Sequence, residues 1–123
     1  MIVAVIVGTA GGVGAAARLL LDGYVQDRTR SRFPYGTLTV NVLGSLIMGV
    51  VTGLALFHGL TTTPKAVVGT GFCGGLTTWS TASWETIQLA ERGETGAAVS
   101  NALGGLGASI AAAAGGMALM ALL

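Results

Sequence analysis

The sequence predicts an all-α membrane protein of four transmembrane helices, the third broken at mid-membrane. Three observations carry the prediction. Of 123 residues, 52% are hydrophobic and only 9% charged, with a mean hydropathy of +0.77. Water-facing domains carry roughly 25% charged residues, so this chain cannot cover a soluble surface. Apolar runs long enough to cross a bilayer, which takes about 20 residues, recur at about residues 2–21, 36–57, 66–89 and 97–122. Finally, the third run interrupts itself with GFCGGLTTWSTAS, residues 71–83, where glycines are followed by five hydroxyls within residues 77–83. The length suits a single domain, residues 1–123.

Span one starts at Ile2 with no basic segment ahead of it, and reads as a retained span rather than a cleaved leader. Polar breaks follow at Asp22 to Pro34, His58 to Lys65 and Glu91 to Glu94. Pro34 and Pro64 each fall just before a span, where a missing backbone N–H is tolerated. Glycines recur at helical spacing in the pairs Gly8/Gly12, Gly49/Gly53 and Gly71/Gly75, the small-xxx-small pattern that lets helices approach closely in lipid. The first and third connections, with the end of span one, hold Arg18, Arg28, Arg30, Arg32 and Arg92, whereas the opposite side holds only Lys65. This bias predicts cytoplasmic first and third loops and both termini outside.

Gly74-Gly75 next to Thr77-Thr78 predicts the break in span three, and broken helices at membrane depth are tolerated around a cavity or inside protein. The freed backbone groups need partners, and an ion can supply them. With the second half of the span placed on a helix, Thr77, Thr81 and Glu85 share one face, flanked by Ser80, Trp84 and Gln88. Trp79, Ala82 and Ser83 point the other way. Hydroxyls in such helices commonly bond back to the carbonyl four residues earlier. The density here exceeds that ordinary role. Span two adds Asn41 with Thr37 one turn earlier, and span four adds Asn101 and Ser109. All these groups donate hydrogen bonds and none carries a fixed positive charge, which fits a path for a small anion that must replace its water yet leave again. The Trp79 ring edge and indole N–H would add to it. Glu85, an ionisable residue near membrane depth, is a functional candidate, and His58 reads as an interfacial residue.

At these residues the sequence resembles the fluoride channel family called Fluc or CrcB. The likeness covers essentially the whole chain, through GTLTVNVLGS in span two and GFCGGLTTWSTAS in span three. The family's usual forms are close to GTLxVNxxGS and GFxGGxTTFSTFS. The resemblance implies a dimer of antiparallel subunits with two passive fluoride pores, selective against chloride, in the plasma membrane. It also implies a structural sodium ion held by backbone carbonyls matching Gly74 and Thr77 from both subunits. Pore-lining positions carry over to Asn41, Trp79, Ser80 and Thr81, with Ser109 on the span-four track. Arg18, Thr37 and Glu85 match a vestibule or polar track. Without the resemblance, Arg18 would snorkel to the interface or pair with Asp22.

Three departures stand out. The family's two phenylalanines are Trp79 and Ala82 here, Gly105 replaces the usual serine of span four, and the arginine bias exceeds what a subunit inserted in both orientations needs. Together they raise the alternative of a half-degenerate or non-conducting subunit paired with an inverted paralogue, in place of pairing with itself. A small multidrug-type proton-coupled exporter would need a carboxylate in span one, and IVAVIVGTAGGVGAAARLLL has none. No catalytic constellation lies on a water-facing segment, so no enzyme is expected. A net charge of +1 points to no nucleic acid, and one His and one Cys make a transition-metal site improbable.

Overall fold

The computed structural model describes all 123 residues, Met1–Leu123, and contains helices and short connections without a strand. Helix α1 spans Ile2–Thr29 and runs on past Leu21 through the stretch read as a polar break. Nothing in that stretch stops a helix before Arg30, which takes a left-handed conformation (φ 48°) and donates its amide to the Gln26 carbonyl. The residue before a proline avoids helical backbone, and Pro34 fixes where the next helix starts. Helix α2, Tyr35–Phe57, follows directly.

Helix α3 covers residues 62–76 and starts ahead of Ala66. It is an α-turn, Thr62–Lys65, then a π-helical stretch, Ala66–Cys73, then a last turn, Gly74–Leu76. Helix α4, Trp79–Glu91, follows after two extended residues. Helix α5, Thr95–Leu122, carries its own π-helical turn at Ser100–Gly104. Helices α1, α2 and α5 are each long and apolar enough to cross a membrane. The ion pair between Arg32 and Glu94 (3.5 Å) joins the first and third connections at one end. At the opposite end His58 Nε2 donates to the Met120 carbonyl (2.8 Å), tying the close of α2 to α5.

Glycines set how closely these helices approach, though not all of those the spacing singled out. A Cβ on Gly49 would overlap the Ala113 carbonyl, and one on Gly53 would meet Met120, so this pair lies in the α2–α5 seam as expected. Gly71 and Gly75 abut the carbonyls of Val7 and Gly11 in the α1–α3 seam. Gly8 and Gly12, by contrast, face open space, and α1 meets α3 through Gly11 and Gly14. The reason is rotational: Gly11 and Gly14 lie one turn apart on the face turned to α3, and Gly8 and Gly12 on a neighbouring one. Only 19 of the 123 residues are buried, so the chain covers its helix seams and leaves the outer apolar faces uncovered, the arrangement of a multi-pass membrane protein.

Candidate functional site

Two extended residues separate α3 from α4. Thr77 has φ −83° and ψ 158°, and Thr78 has φ −150° and ψ 118°. The interruption therefore falls at the threonine pair, while Gly74 keeps helical backbone (φ −61°, ψ −38°). Glycine in the final α3 turn serves close packing against α1. The extended conformation comes from what the threonines bond to.

Asn41 holds Thr78 on both sides of its backbone. Its Nδ2 donates to the Thr78 carbonyl (2.9 Å), and the Thr78 amide donates to its Oδ1 (2.7 Å). One side-chain amide thus stands in for a strand partner. Thr78 in turn caps α4, its hydroxyl accepting from the Thr81 amide (3.2 Å) and donating to the Thr81 hydroxyl (3.0 Å). On the α3 side, the Thr77 amide and hydroxyl both donate to the Cys73 carbonyl at 2.9 Å. Gly44 makes room for this, since a Cβ there would overlap the Thr77 methyl.

These bonds redirect two amides. In a continuous helix the Thr78 amide would serve the Gly74 carbonyl and that of Thr81 the Thr77 carbonyl. Both go elsewhere, and the Thr77 carbonyl instead lies 3.4 Å from Arg18 Nη1. Arg18 therefore neither pairs with Asp22 nor snorkels away; its head sits at the interruption.

A cavity of about 500 Å³ opens beside the break, with Thr37, Asn41 and Ser45 of α2, Thr77 and Thr78, Trp79, Ala82, Ser83 and Thr86 of α4, and Asn101, Gly105 and Ser109 of α5 around it. Asn41 and Ser109 line it as the sequence indicates, and Trp79, 76% exposed, stands at its rim. The face of α4 that lines it is the one holding Trp79, Ala82 and Ser83, which the sequence reading turned away. Trp79, Ala82 and Ser83 do share one face of α4, away from Thr81 and Glu85, as the spacing indicates; which of the two faces turns to the cavity is set by how α4 packs beyond the extended residues, and the spacing does not carry that. Ser80 and Thr81 sit off the cavity wall, next to the Thr78 hydroxyl, with the Ser80 oxygen at 3.4 Å. The Ser83 and Thr86 hydroxyls bond back to the carbonyls of Trp79 and Ala82 (2.9 and 2.8 Å).

Asn101 is buried and ties α5 to α4, its Nδ2 donating to the Thr86 hydroxyl (2.8 Å) and the Ala82 carbonyl (3.3 Å). With α-helical twist, Asn101 and Ser109 would stand about 80° apart. The π-turn, closed by wider i→i+5 bonds, turns less per residue and so brings them closer in rotation, and both line the cavity. No residue pattern announces that turn, and Thr86 was likewise missed because back-bonded hydroxyls carry no distinguishing spacing.

Thr37, 2% exposed, connects this cavity to a second one. Its hydroxyl donates to Glu85 Oε1 (2.9 Å), while Glu85 Oε2 is buried without a partner. Glu85 also faces the second cavity, of about 410 Å³, which is walled by Asp22, Gln26, Asp27, Arg32, Gln88 and Arg92 at the arginine-rich end. The Thr37–Glu85 bond therefore lies between the first cavity, whose wall also includes Leu38, Ile87, Ala102 and Leu106, and the polar second one.

Fold and site together define a small multi-pass helical membrane protein whose polar groups converge on a backbone interruption. The sequence profile described as "CrcB-like protein, Camphor Resistance (CrcB)" matches residues 5–117. A protein of Leifsonia xyli subsp. xyli named fluoride-specific ion channel FluC 1 is 46% identical over 116 residues, covering 94% of this chain and 85% of its own. A FluC 1 of Symbiobacterium thermophilum is 42% identical over 117 residues, 94% of both chains. A FluC 2 of Cutibacterium acnes is 52% identical over 82 residues, 66% of this chain and 67% of its own. The chain belongs to the CrcB family. Its named relatives are ion channels, so its class is transport and not catalysis.

Proposed function

We propose that the protein is a subunit of a fluoride-selective channel that lets cytoplasmic fluoride leave passively across the plasma membrane. The observation that carries this reading is the Asn41-held interruption opening onto a cavity whose wall sets the polar side chains of Asn41, Ser45 and Ser109 among apolar ones, Leu38, Ile87 and Leu106 included. A small anion must exchange its water for donors that hold it weakly, and neutral N–H and O–H groups do so without trapping it. Asn41 spends one of its two N–H bonds on Thr78 and keeps the other. Ser109 and the Trp79 edge extend the set, and Ser80 and Thr81 stand on the outer flank of the same helix start. The Thr37–Glu85 joint marks the passage toward the second cavity, a vestibule facing the cytoplasm if the arginine bias sets orientation.

A structural sodium ion belongs to the same proposal. The carbonyls of residues 74–77 accept no helical amide across the break, and a hard cation takes oxygen ligands of that kind; the resemblance selects Gly74 and Thr77 among them, with Arg18 Nη1 3.4 Å from the Thr77 oxygen. Gly74 lies exposed, so a second subunit can bring its own pair of carbonyls to the ion. The ion would neutralise these dipoles and fix the interruption. The exposure of Trp79 and Gly74 in one chain supports an antiparallel dimer in which the cavities close into pores. The arginine bias favours an inverted paralogue over a second copy, and Ala82 and Gly105 leave room for one of the two pores to be altered. Purified protein in liposomes, read with a fluoride electrode, tests the reading: efflux well above empty vesicles supports it, and none from this chain alone or with a co-expressed inverted homologue overturns it.

A further inference from the structure

We infer that Gln26, on the wall of the second cavity, is a positioning residue of the conduction path: it sets where α2 starts and so holds Thr37 against Glu85. The inference rests on the channel reading above and extends it to a residue that does not line the first cavity. Pro34 precedes α2 and offers no side-chain acceptor to its first turn. Gln26, on α1, supplies one. Its Oε1 accepts from the Gly36 amide (3.2 Å), the residue directly before Thr37. Its Nε2 donates to the carbonyls of Ser31 (2.6 Å) and Phe33 (3.2 Å), the turn that leads into α2. Its own carbonyl accepts from the Arg30 amide (3.0 Å) and the Thr29 hydroxyl (3.2 Å), closing α1.

One residue therefore fastens the end of α1, the turn and the start of α2. The fastening is tight in the axial direction, because Gly36 abuts the Asp22 side chain with no space for a Cβ. A slip of α2 along its axis would carry Thr37 away from Glu85, and Thr37 is the only hydroxyl that reaches that carboxylate. Three neutral hydrogen bonds from one side chain thus tie the turn to the first residues of α2.

The test is a double-mutant cycle on liposome fluoride efflux with Gln26→Met and Thr37→Val, alone and together. Gln26→Met is expected to lower efflux about tenfold, the equivalent of roughly 1.4 kcal/mol. If Gln26 acts through Thr37, the double variant conducts no worse than the poorer single one; multiplied losses mean an independent structural role and overturn the inference. Efflux of Gln26→Met within twofold of the parent overturns it as well. Should that variant fail to fold, Gln26→Glu keeps the acceptor for Gly36, loses both donors, and enters the same cycle. Hydrogen exchange of residues 36–41 gives a readout independent of flux, with faster exchange expected in the Gln26 variants. Silence of the unsubstituted protein toward fluoride would overturn the channel reading, and unchanged exchange at 36–41 would then overturn the role of Gln26 separately.

Discussion

Replacing Asn41 by leucine keeps the side chain's size and removes both bonds to Thr78. Thr78 is only 8% exposed, so its amide and carbonyl are left without water as well as without Asn41. An unsatisfied buried polar group costs about 1–3 kcal/mol, which puts the pair at about 2–6 kcal/mol. The chain has one cheap escape: the Thr78 amide can return to the Gly74 carbonyl and wind α3 into α4 as one helix. That rescue removes the cavity wall and the freed carbonyls together. Efflux is therefore expected to fall at least about 100-fold, or roughly 2.7 kcal/mol, whether or not stability drops in full. Asn41→Asp sharpens the case, since it retains an acceptor for the Thr78 amide, sets an oxygen against the Thr78 carbonyl, and puts negative charge on an anion path. It should unfold less readily than the leucine variant and conduct no better. Stability is read by unfolding in denaturing detergent and flux by fluoride electrode. An Asn41→Leu protein with the parent's unfolding midpoint and efflux within twofold would refute both the strand-partner role and the pore assignment.

Further outcomes are expected at the seams, the ion site and the ends. Gly75→Ala drives a Cβ into the Gly11 carbonyl, which is backbone and cannot yield, for a loss on the order of 1–3 kcal/mol in detergent unfolding, whereas Gly8→Ala meets open space and should change stability by less than about 0.5 kcal/mol. Equal losses would overturn the contrast and show Gly8 as closely packed as Gly75. Replacing sodium with a large organic cation should lower the unfolding midpoint, and restoring sodium should raise it to a plateau as a bound ligand does; a midpoint indifferent to sodium would remove the cation from Gly74 and Thr77. Single cysteines at Arg30→Cys and Lys65→Cys should be labelled from opposite faces in cells, the buried Cys73 staying silent; labelling of each from both faces would dismiss a fixed orientation and with it the need for an inverted paralogue.

Much of the fold is legible because lipid removes alternatives. Four apolar runs between charged stretches can only be helices in a bilayer, and the start of α2 follows from Pro34 to within a residue. The end of α1 is not legible in the same way. Hydropathy marks where a segment stops being apolar, and a helix needs a backbone reason to stop, which Arg30 provides well after the polarity change. The glycine pairs divide on similar grounds. Spacing identifies that small residues share a stripe, and only the rotation of the helix decides whether Gly8 and Gly12 or Gly11 and Gly14 meet the neighbour.

The site shows the same division more sharply. Asn41 and the threonine pair are conspicuous as polar groups in apolar surroundings, and the structure brings them within hydrogen-bond distance across two helices. Phase is the quantity the pattern cannot supply. The two extended residues at 77 and 78 set which face of α4 turns to the cavity, and the π-helical turn at Ser100–Gly104 changes the rotation between Asn101 and Ser109, so a helical wheel gives the faces of α4 without their direction and separates Asn101 from Ser109. Such irregularities arise from a balance between backbone bonds and a few side-chain acceptors. Asn41 outcompetes the Gly74 carbonyl for the Thr78 amide, and the Thr78 hydroxyl outcompetes the Thr77 carbonyl for that of Thr81. The carbonyls those contests leave over are the ones a cation would need, and the cavity stands beside them. The interruption is thus a consequence of side chains winning backbone donors, which is why single substitutions at Asn41 or Thr78 should act on the proposed cation site and the proposed anion path at once.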